Sequence, residues 1–432
     1  MKPVVIIGAG WAGLAAAVEL SARGLPVTLI EAAPTAGGRA RSVRHDGRTF
    51  DNGQHLLLGA YRDTRALLAR IGVREADVFA RTPLELRMRD AAEGDLHLRA
   101  GSLPGRLHLA QALLGASGLT LRERWRWLRA AHRLRRAPAP ELTVSAWLDA
   151  AGQPPRMRRQ LWEPLCLAAL NTPAGIASAA VFHRVLEDAF AGPEQSALYL
   201  PSRALGRVLP DPAAAFLRVH GANTRYGTRV RHLSVRDGRI SGLELRNGET
   251  LEADTVVLAC GPHDSARLLA AHAETSEIAE RLTGLEMLPI ATIYLDYGPE
   301  VYLETAMQGL LGGPLQWIFD RGLGGEPGLF AGVISGSGPH MALDNETLAA
   351  TAQHQLGQHF PSLGHARSAW VVRERRATFA ATPVAEALRP ASQTPVHGLW
   401  LAGDHLDTGL PATLEGAVRS GLDCAQRLAA AG

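Results

Sequence analysis

The chain has 432 residues, of which 46% are hydrophobic and 20% are charged, and its formal net charge is +3. These values are typical of a folded globular protein with about two or three domains, and they exclude a disordered chain. The basic residues include a single lysine, Lys2, so no other lysine can form a Schiff base or act as a general base. The cysteines are far apart and outside any CxxC pair, which argues against disulfides, a metal site and secretion: Cys166, Cys260 and Cys424.

The first predicted element is a strand–helix–strand unit. Residues 3–7 form a continuous apolar run, typical of a buried parallel strand, and the glycines that follow have the spacing GxGxxG before an alanine-rich helix. A second strand, residues 26–30, ends at an acid. This frame predicts dinucleotide binding, with backbone N–H groups and a helix N-terminus on the pyrophosphate and the acid on a ribose. The expected contacts are Gly8, Gly10, Trp11, Ala12, Gly13 and Glu31.

Residues 4–20 are apolar enough to suggest a secretion signal, but the glycine spacing and Glu19 oppose that interpretation. No other apolar run reaches the roughly 18 residues of a membrane-spanning helix. We therefore expect a cytoplasmic protein, with peripheral contact to the inner face of the cytoplasmic membrane left open.

The segment GGRARSV, residues 37–43, resembles the second cofactor element of the FAD-dependent amine oxidases and carotenoid-type desaturases. In that superfamily an arginine and flexible backbone hold the diphosphate from its other side, which implies contacts from Gly38 and Arg39. Without the resemblance, the segment is only a glycine turn with a solvated arginine.

Residues 398–429 also resemble this superfamily. A strand ends at Gly403 and Asp404, and a helix follows from Ala412. The resemblance implies that Asp404 binds ribityl or phosphate oxygens, and that the helix N-terminus near Leu414 faces the N1–C2=O edge of the flavin, where its dipole stabilises the anionic reduced form. Motifs at both ends of the chain therefore predict FAD as the cofactor.

Between the two motifs, residues 224–262 alternate apolar and polar side chains, with hairpin turns at Asp237-Gly238 and Asn247-Gly248. The resemblance implies that Val230 lies beside the adenine. The predicted fold is α/β (α+β), with a discontinuous Rossmann-like FAD-binding domain of residues 1–65, 205–270 and 396–432. A mixed-sheet substrate domain takes residues 66–100 and 271–395, and a helical subdomain takes residues 101–204.

A basic helix is predicted after a capping box at residues 120–123. It carries Trp125 and Trp127 among six arginines between residues 124 and 136. Two interpretations remain open: a solvated basic face, or an interfacial helix with tryptophans at lipid headgroups and arginines on anionic lipid. Residues 161–190, apolar and broken by prolines, are expected to line a large apolar pocket, with ordinary domain core as the alternative.

DNGQHLLLGAY, residues 51–61, together with residues 403–421 resembles the hydroxysqualene dehydroxylases of hopanoid biosynthesis, the bacterial squalene-associated FAD-dependent desaturases. LWEPLCLAALNTP and LPSRALGRVLPDP fit the same family. The resemblance implies an apolar isoprenoid substrate, hydroxysqualene, and a reductive reaction. Hydride passes from N5 of reduced FAD to the allylic carbon, and the hydroxyl leaves as water.

Hydroxide is a poor leaving group, so this reaction needs a positioned acid. We expect Gly53 to let the backbone approach the flavin, and Gln54 and His55 to present donors to the hydroxyl, with Leu56 to Leu58 beginning the isoprenoid tunnel. His55 is the preferred acid because an imidazole is partly protonated near neutrality, and Asp407 is the second candidate. In the alternative interpretation, Gln54 and His55 only bind flavin or backbone.

Other functions compete with this hypothesis. A carotenoid-type desaturase would run hydride towards FAD, and a non-catalytic prenyl-binding protein would share the fold. The lack of a second lysine and of an aromatic pair near residues 405–411 weakens an amine substrate. We expect no nucleic-acid partner, and the sequence does not identify the electron donor.

Overall fold

The computed structural model describes residues 2–45 and 47–431. Its strands, numbered in chain order, are β1 (Val4–Ile7), β2 (Val27–Ile30), β3 (Ser42–His45), β4 (Arg48–Asp51), β5 (Leu57–Leu58), β6 (Phe79–Thr82), β7 (Glu85–Arg89), β8 (Leu96–Arg99), β9 (Leu198–Pro201), β10 (Asn223–Arg225), β11 (Val230–Arg236), β12 (Arg239–Leu245), β13 (Thr250–Glu252), β14 (Val256–Leu258), β15 (Met287–Asp296), β16 (Met307–Leu310), β17 (Trp317–Asp320), β18 (Leu329–Ser335), β19 (Ser368–Phe379) and β20 (Leu399–Leu401).

The α-helices are α1 (Trp11–Ala22), α2 (Arg62–Arg70), α3 (Glu75–Val78), α4 (Leu107–Leu114), α5 (Leu121–Arg133), α6 (Val144–Ala150), α7 (Pro155–Met157), α8 (Glu163–Leu170), α9 (Ala179–Ala189), α10 (Pro193–Ser196), α11 (Leu205–Val208), α12 (Pro210–Val219), α13 (Pro262–Leu269), α14 (Ser276–Thr283), α15 (Asn345–His359), α16 (Pro383–Leu388) and α17 (Leu414–Ala431). A π-helical segment, Arg158–Trp162, precedes α8, and a 3₁₀ turn, Arg321–Gly324, follows β17.

A five-stranded parallel sheet in the order β10-β2-β1-β14-β20 is built from three separated parts of the chain. Its central strands are short apolar runs, VVII and VTLI, and every one of their residues is buried, as expected when helices cover both faces. Helix α1 packs against α17 so closely that a Cβ on Gly421 would lie 2.1 Å from the carbonyl oxygen of Ala12. The sheet thus brings both predicted cofactor motifs to one edge.

The meander predicted between the motifs is confirmed as the antiparallel sheet β11-β12-β13. Its first turn places Asp237 and Gly238 at φ of 51° and 69°, the left-handed conformation that a type I′ hairpin requires.

A seven-stranded mixed sheet, in the order β19-β15-β18-β17-β16-β7-β8, forms the second half of the molecule. Side chains alternate across it. Ile293, Ile318 and Ile334 point to the face that packs with α15, whereas Trp317 and Val333 line a cavity on the opposite face. The structure confirms the α/β architecture, and this sheet supplies one wall of the candidate site.

Helix α5 begins with the predicted capping box, in which Thr120 and Glu123 exchange hydrogen bonds. The expectation that both Trp125 and Trp127 contact lipid headgroups is wrong, because the two side chains face in different directions. Trp127 is 1% exposed in the core and Trp125 is 58% exposed, as expected for residues two apart on a helix. Within the described residues, no helix is both long enough and apolar enough to cross a bilayer.

Candidate functional site

A cavity of about 710 Å³ extends from the β1–α1 turn to the seven-stranded sheet. Most of the residues predicted to bind FAD line it: Gly8, Gly10, Trp11, Ala12, Glu31, Gly38, Arg39, Gly53, Val230, Gly403, Asp404 and Leu414. Gly13 and Asp407, which the sequence also suggested, are not among the lining residues.

The glycines of the first turn have different structural roles. Gly8 has a φ of +108°, and a Cβ there would lie 2.5 Å from the carbonyl oxygen of Ala259. A Cβ on Gly13 would lie 1.9 Å from the carbonyl oxygen of Gly8, so Gly13 permits helix–strand packing and does not face the cavity. Around Gly10 the nearest atom to an added Cβ is Gly38 Cα at 3.9 Å. Gly10 therefore borders open space beside the N-terminus of α1, which suits a diphosphate.

Glu31 has its carboxylate fixed by backbone donors. Its Oε2 accepts from the N–H of Ala9 at 2.6 Å, and its Oε1 accepts from the N–H of Ala33 at 2.8 Å. The carboxylate retains further lone pairs on a side chain that lines the cavity, so it can also accept from ribose hydroxyls.

Arg39 and Asp404 form an ion pair across the cavity wall, with Nη2 and Oδ1 2.6 Å apart. Burial raises the pKa of Asp404, but the Arg39 guanidinium and His405 outweigh burial and hold that pKa well below its usual range. Because Arg39 also donates to the carbonyl of Ala377, it joins the N-terminal motif to β19 and the C-terminal motif.

The loop that carries Asp404 is held by Arg389, which the sequence did not single out. The Arg389 side chain is fully buried; its Nε donates to the carbonyl of Leu406 at 2.8 Å, and its Nη1 pairs with Glu386 at 2.8 Å. Asp407 lies on the outer side of this loop with an exposed side chain. Its assignment as a catalytic acid is therefore not supported, since it does not reach the cavity.

A buried ion cluster lies behind the loop of residues 51–55. Asp51, 1% exposed, accepts from the N–H of Leu205 at 2.6 Å and from Arg321 Nη2 at 3.4 Å. Arg321 also pairs with Glu326 at 2.9 Å. Neither Asp51 nor Arg321 lines the cavity, so the two residues support the loop from behind.

Gln54 and His55 line the cavity in front of this cluster. Gln54 Oε1 accepts from Arg321 Nη1 at 3.0 Å, and Gln54 Nε2 donates to the carbonyl of His55 at 3.0 Å. His55 Nδ1 lies 2.9 Å from the carbonyl oxygen of Gly53. Burial lowers the pKa of His55, and the positive charges of Arg321 and Arg39 add to this, against the opposing effects of Gly53 and Asp51. The imidazole is therefore neutral at pH 7.

The leucine run after His55 contributes only in part to the tunnel. Leu56 and Leu58 line the cavity, whereas Leu57 points into the core and is 1% exposed. This alternation follows from the extended backbone, which continues into β5.

The rest of the tunnel is apolar. The expected lining by residues 161–190 is confirmed, and the seven-stranded sheet supplies the opposite wall. The apolar lining side chains include Leu84, Leu86, Leu165, Phe182, Val185, Leu186, Phe190, Met307, Trp317, Phe319 and Val333.

Comparison with known proteins agrees with this geometry. The sequence profile of a family described as flavin containing amine oxidoreductase matches residues 11–429. The hydroxysqualene dehydroxylase of Rhodopseudomonas palustris is 33% identical over 449 residues, covering 100% of this chain and 99% of that protein. The hydroxysqualene dehydroxylase of Sinorhizobium fredii is also 33% identical, covering 97% and 96%. The crystal structure of an oxidoreductase from Methanosarcina mazei has the same fold, with a TM-score of 0.75 at 17% identity, covering 98% of this chain and 100% of that chain.

The cavity fits FAD, the cofactor of this chain. Open space between Gly10 and Gly38 would hold the diphosphate, and Glu31 would hold the ribose. At the other end of the cofactor, the first N–H groups of α17 near Leu414 would face the flavin.

We expect Gly10→Val to fold without bound FAD, because the valine methyl groups occupy the space beside Gly38. The measurement is the flavin absorbance of the purified protein near ~450 nm, with circular dichroism as the test of folding. Gly175→Val is the matched control, since a Cβ on Gly175 meets no atom within 4 Å and Gly175 lies outside the cavity lining. A folded Gly10→Val protein with a full complement of flavin would show that this turn does not hold the diphosphate.

Proposed function

The chain belongs to the flavin-containing amine oxidoreductase family, and we propose that it catalyses the FAD-dependent reductive dehydroxylation of hydroxysqualene to squalene. The observation that carries this proposal is a single cavity that joins a dinucleotide-binding turn, one pair of polar side chains and a long apolar tunnel. Relatives named hydroxysqualene dehydroxylase, similar to this chain over nearly their full length, support the same substrate.

Reduced FAD supplies a hydride when it is bound. The tunnel walls hold the isoprenoid chain and exclude water, so that electrostatic interactions at the polar end are stronger than in solution. Gln54 and His55 bind the hydroxyl at the point where the tunnel meets the cofactor-binding half. Overall, carbon gains a hydride, the hydroxyl oxygen gains a proton, and water leaves.

The geometry around His55 supports a role other than the acid expected from the sequence. A carbonyl oxygen only accepts hydrogen bonds, so the hydrogen of the neutral ring lies on Nδ1, facing Gly53. The Nε2 atom then carries a lone pair and accepts. The lowered pKa of the His55 imidazole removes the reason for preferring this residue as the acid. We propose instead that neutral His55 accepts a hydrogen bond from the substrate hydroxyl, and that the proton taken up by the departing hydroxyl, which leaves as water, comes from a donor other than His55.

The direct test is an anaerobic single turnover with photoreduced holoenzyme and hydroxysqualene. We expect the flavin to be reoxidised and one equivalent of squalene to form per flavin, as measured by absorbance and by mass spectrometry. The control replaces hydroxysqualene with squalene, which cannot accept the hydride in this reaction. If reduced enzyme stays reduced with hydroxysqualene while oxidised enzyme is reduced by a polyprene, the chain is a desaturase instead.

His55→Ala should weaken substrate binding by about tenfold, the effect of one neutral hydrogen bond. Loss of a general acid would instead lower the rate at saturating substrate by ~10²–10⁴-fold. Concentration-dependent single turnovers separate the two.

The wild-type pH profile gives a second test. Because the pKa of His55 is lowered, the accepting neutral form persists above pH ~6.5 and is lost only at more acidic pH. Activity that rises steadily as the pH falls below that value would restore the acid role.

We also propose that the helical subdomain contacts an anionic membrane surface. What we call the apolar patch is a set of five exposed side chains of this subdomain, four of them on the contacting helices α4 and α5: Leu103, Leu107, Leu114, Leu121 and Trp125. Beside it on α5, exposed arginines recur at positions 122, 126, 129 and 133, the spacing of one helix face. Apolar side chains next to a row of cations suit an interfacial helix on anionic lipid.

Replacing Leu121 and Trp125 by serine should reduce cosedimentation with vesicles of anionic phospholipid, and added salt should reduce it further. Each arginine near such a surface contributes about 1 kcal/mol. Val219→Ser is the matched control, because Val219 is 80% exposed but lies on α12. Wild-type protein that stays in the supernatant at low salt would favour the solvated basic face.

A further inference from the structure

Arg321 fixes the orientation of the Gln54 amide. A guanidinium carries donors and no acceptor, so the atom 3.0 Å from Arg321 Nη1 must be the oxygen Oε1. The other end of the amide lies 3.0 Å from the carbonyl of His55, which only accepts, and it must be the nitrogen Nε2. Both neighbours thus select the same orientation. One Nε2 hydrogen is used by that carbonyl, and the second is left on a side chain that lines the cavity.

The carbonyl of Gly53 likewise fixes the tautomer of the His55 imidazole. Here the atom left without a partner is an acceptor, whereas on Gln54 it is a donor. Since Nδ1 donates to Gly53, Nε2 of the neutral ring is an acceptor. Among the hydrogen bonds of the described residues, none involves this Nε2. Adjacent residues therefore present one unused donor, on Gln54, and one unused acceptor, on His55.

We propose that Gln54 and His55 form a recognition pair of fixed polarity for a free hydroxyl group, and that Arg321 is the positioning residue that sets this polarity. The inference deepens the proposed function and rests on it for the identity of the alcohol. A hydroxyl oxygen accepts from Gln54 Nε2 while its hydrogen is donated to His55 Nε2. Of the common oxygen substituents, an alcohol satisfies both groups at once.

The pair also distinguishes the alcohol from related compounds. A methyl ether or a ketone has no hydrogen for His55, and a hydrocarbon leaves both groups without a partner. An unpaired polar group in an apolar cavity is costly. The pair therefore favours binding of the alcohol over the ether, the ketone and the hydrocarbon.

Arg321 acts through Gln54 and does not reach the substrate itself. Its side chain is 6% exposed, is held by Glu326 and Asp51, and is absent from the cavity lining. Lysine at this position keeps the charge but not the planar fork that reaches Gln54, Asp51 and Glu326 together. With Arg321→Lys, only the carbonyl of His55 still orients the Gln54 amide, so the Nε2 donor is held less firmly towards the substrate.

The test measures binding to the oxidised holoenzyme, in which no reduction occurs. Hydroxysqualene and its O-methyl ether are titrated separately, and the perturbation of the flavin spectrum gives each affinity. We expect wild-type protein to bind the alcohol at least about tenfold more tightly than the ether. His55→Ala removes the acceptor that only the alcohol can use, and should lose most of this preference. Gln54→Glu replaces the donor with an acceptor of the same size that only the alcohol can use, so it should weaken binding of the ether and leave the preference at least as large. Arg321→Lys should weaken binding of the ether, whose oxygen relies on the Gln54 donor, while FAD content stays unchanged.

Gln358→Glu, at an exposed position on α15, is the matched control and should keep the wild-type ratio. Equal binding of alcohol and ether by wild-type protein would overturn the proposal, as would a wild-type ratio in His55→Ala or a lost preference in Gln54→Glu. If Arg321→Lys does not fold, His55→Ala and Gln54→Glu decide the matter. Farnesol and its methyl ether separate this inference from the proposed function. A preference for farnesol that depends on His55, with no squalene formed from hydroxysqualene, would reject the reaction and retain the recognition pair.

Discussion

The rest of the site depends on the buried ion pair between Asp51 and Arg321. Asp51 ends β4 and accepts from the first N–H of α11, while Arg321 begins the turn after β17. The pair therefore connects a loop of the cofactor half, a helix that leads back into the parallel sheet, and the seven-stranded sheet. Burying charges in this way is costly unless each is paired, and removing one partner typically costs about 3–5 kcal/mol. The glycine-containing loop between the halves is therefore held in one position relative to both.

Because of this constraint, only a few polar atoms of Gln54 and His55 are left free at the end of the tunnel. Arg321 and the carbonyls of Gly53 and His55 satisfy most of the hydrogen-bonding capacity of residues 54 and 55. What remains free is the part that faces the cavity. Burial of the loop lowers the pKa of His55 and holds the imidazole neutral; Arg321 and Arg39 add to this effect, and the Gly53 carbonyl and Asp51 oppose it. Electrostatics that position the loop thus also decide which hydrogen bonds it offers.

Sequence reasoning succeeded where the determinants are local. The GxGxxG turn with its flanking strands, the capping box at Thr120 and the hairpin at Asp237 are each specified within a few neighbouring residues, and the structure contains all three. It failed where the partner is distant. Arg321 lies 267 residues from Gln54, and nothing local distinguishes it among the many arginines of the chain. Asp407 was expected as the second candidate acid, whereas the loop held by Arg389 turns it outward. Trp127 and Leu57 show that composition alone does not tell which face of a helix or strand a side chain takes.

The two ends of the cavity are specified by different kinds of chemistry. The diphosphate end is specified by backbone conformation. Gly8 and Gly13 have no room for a Cβ, and N–H groups at helix N-termini would bind the diphosphate. The substrate end is specified by side chains that alternate along strands β15 to β19. One such residue can be exchanged without moving the backbone. A fold divided in this way can keep one cofactor while its substrate changes. In the proposed function, Gln54 and His55 lie at the boundary between the two ends, so a change of substrate polarity would be matched to an unchanged cofactor through these two residues.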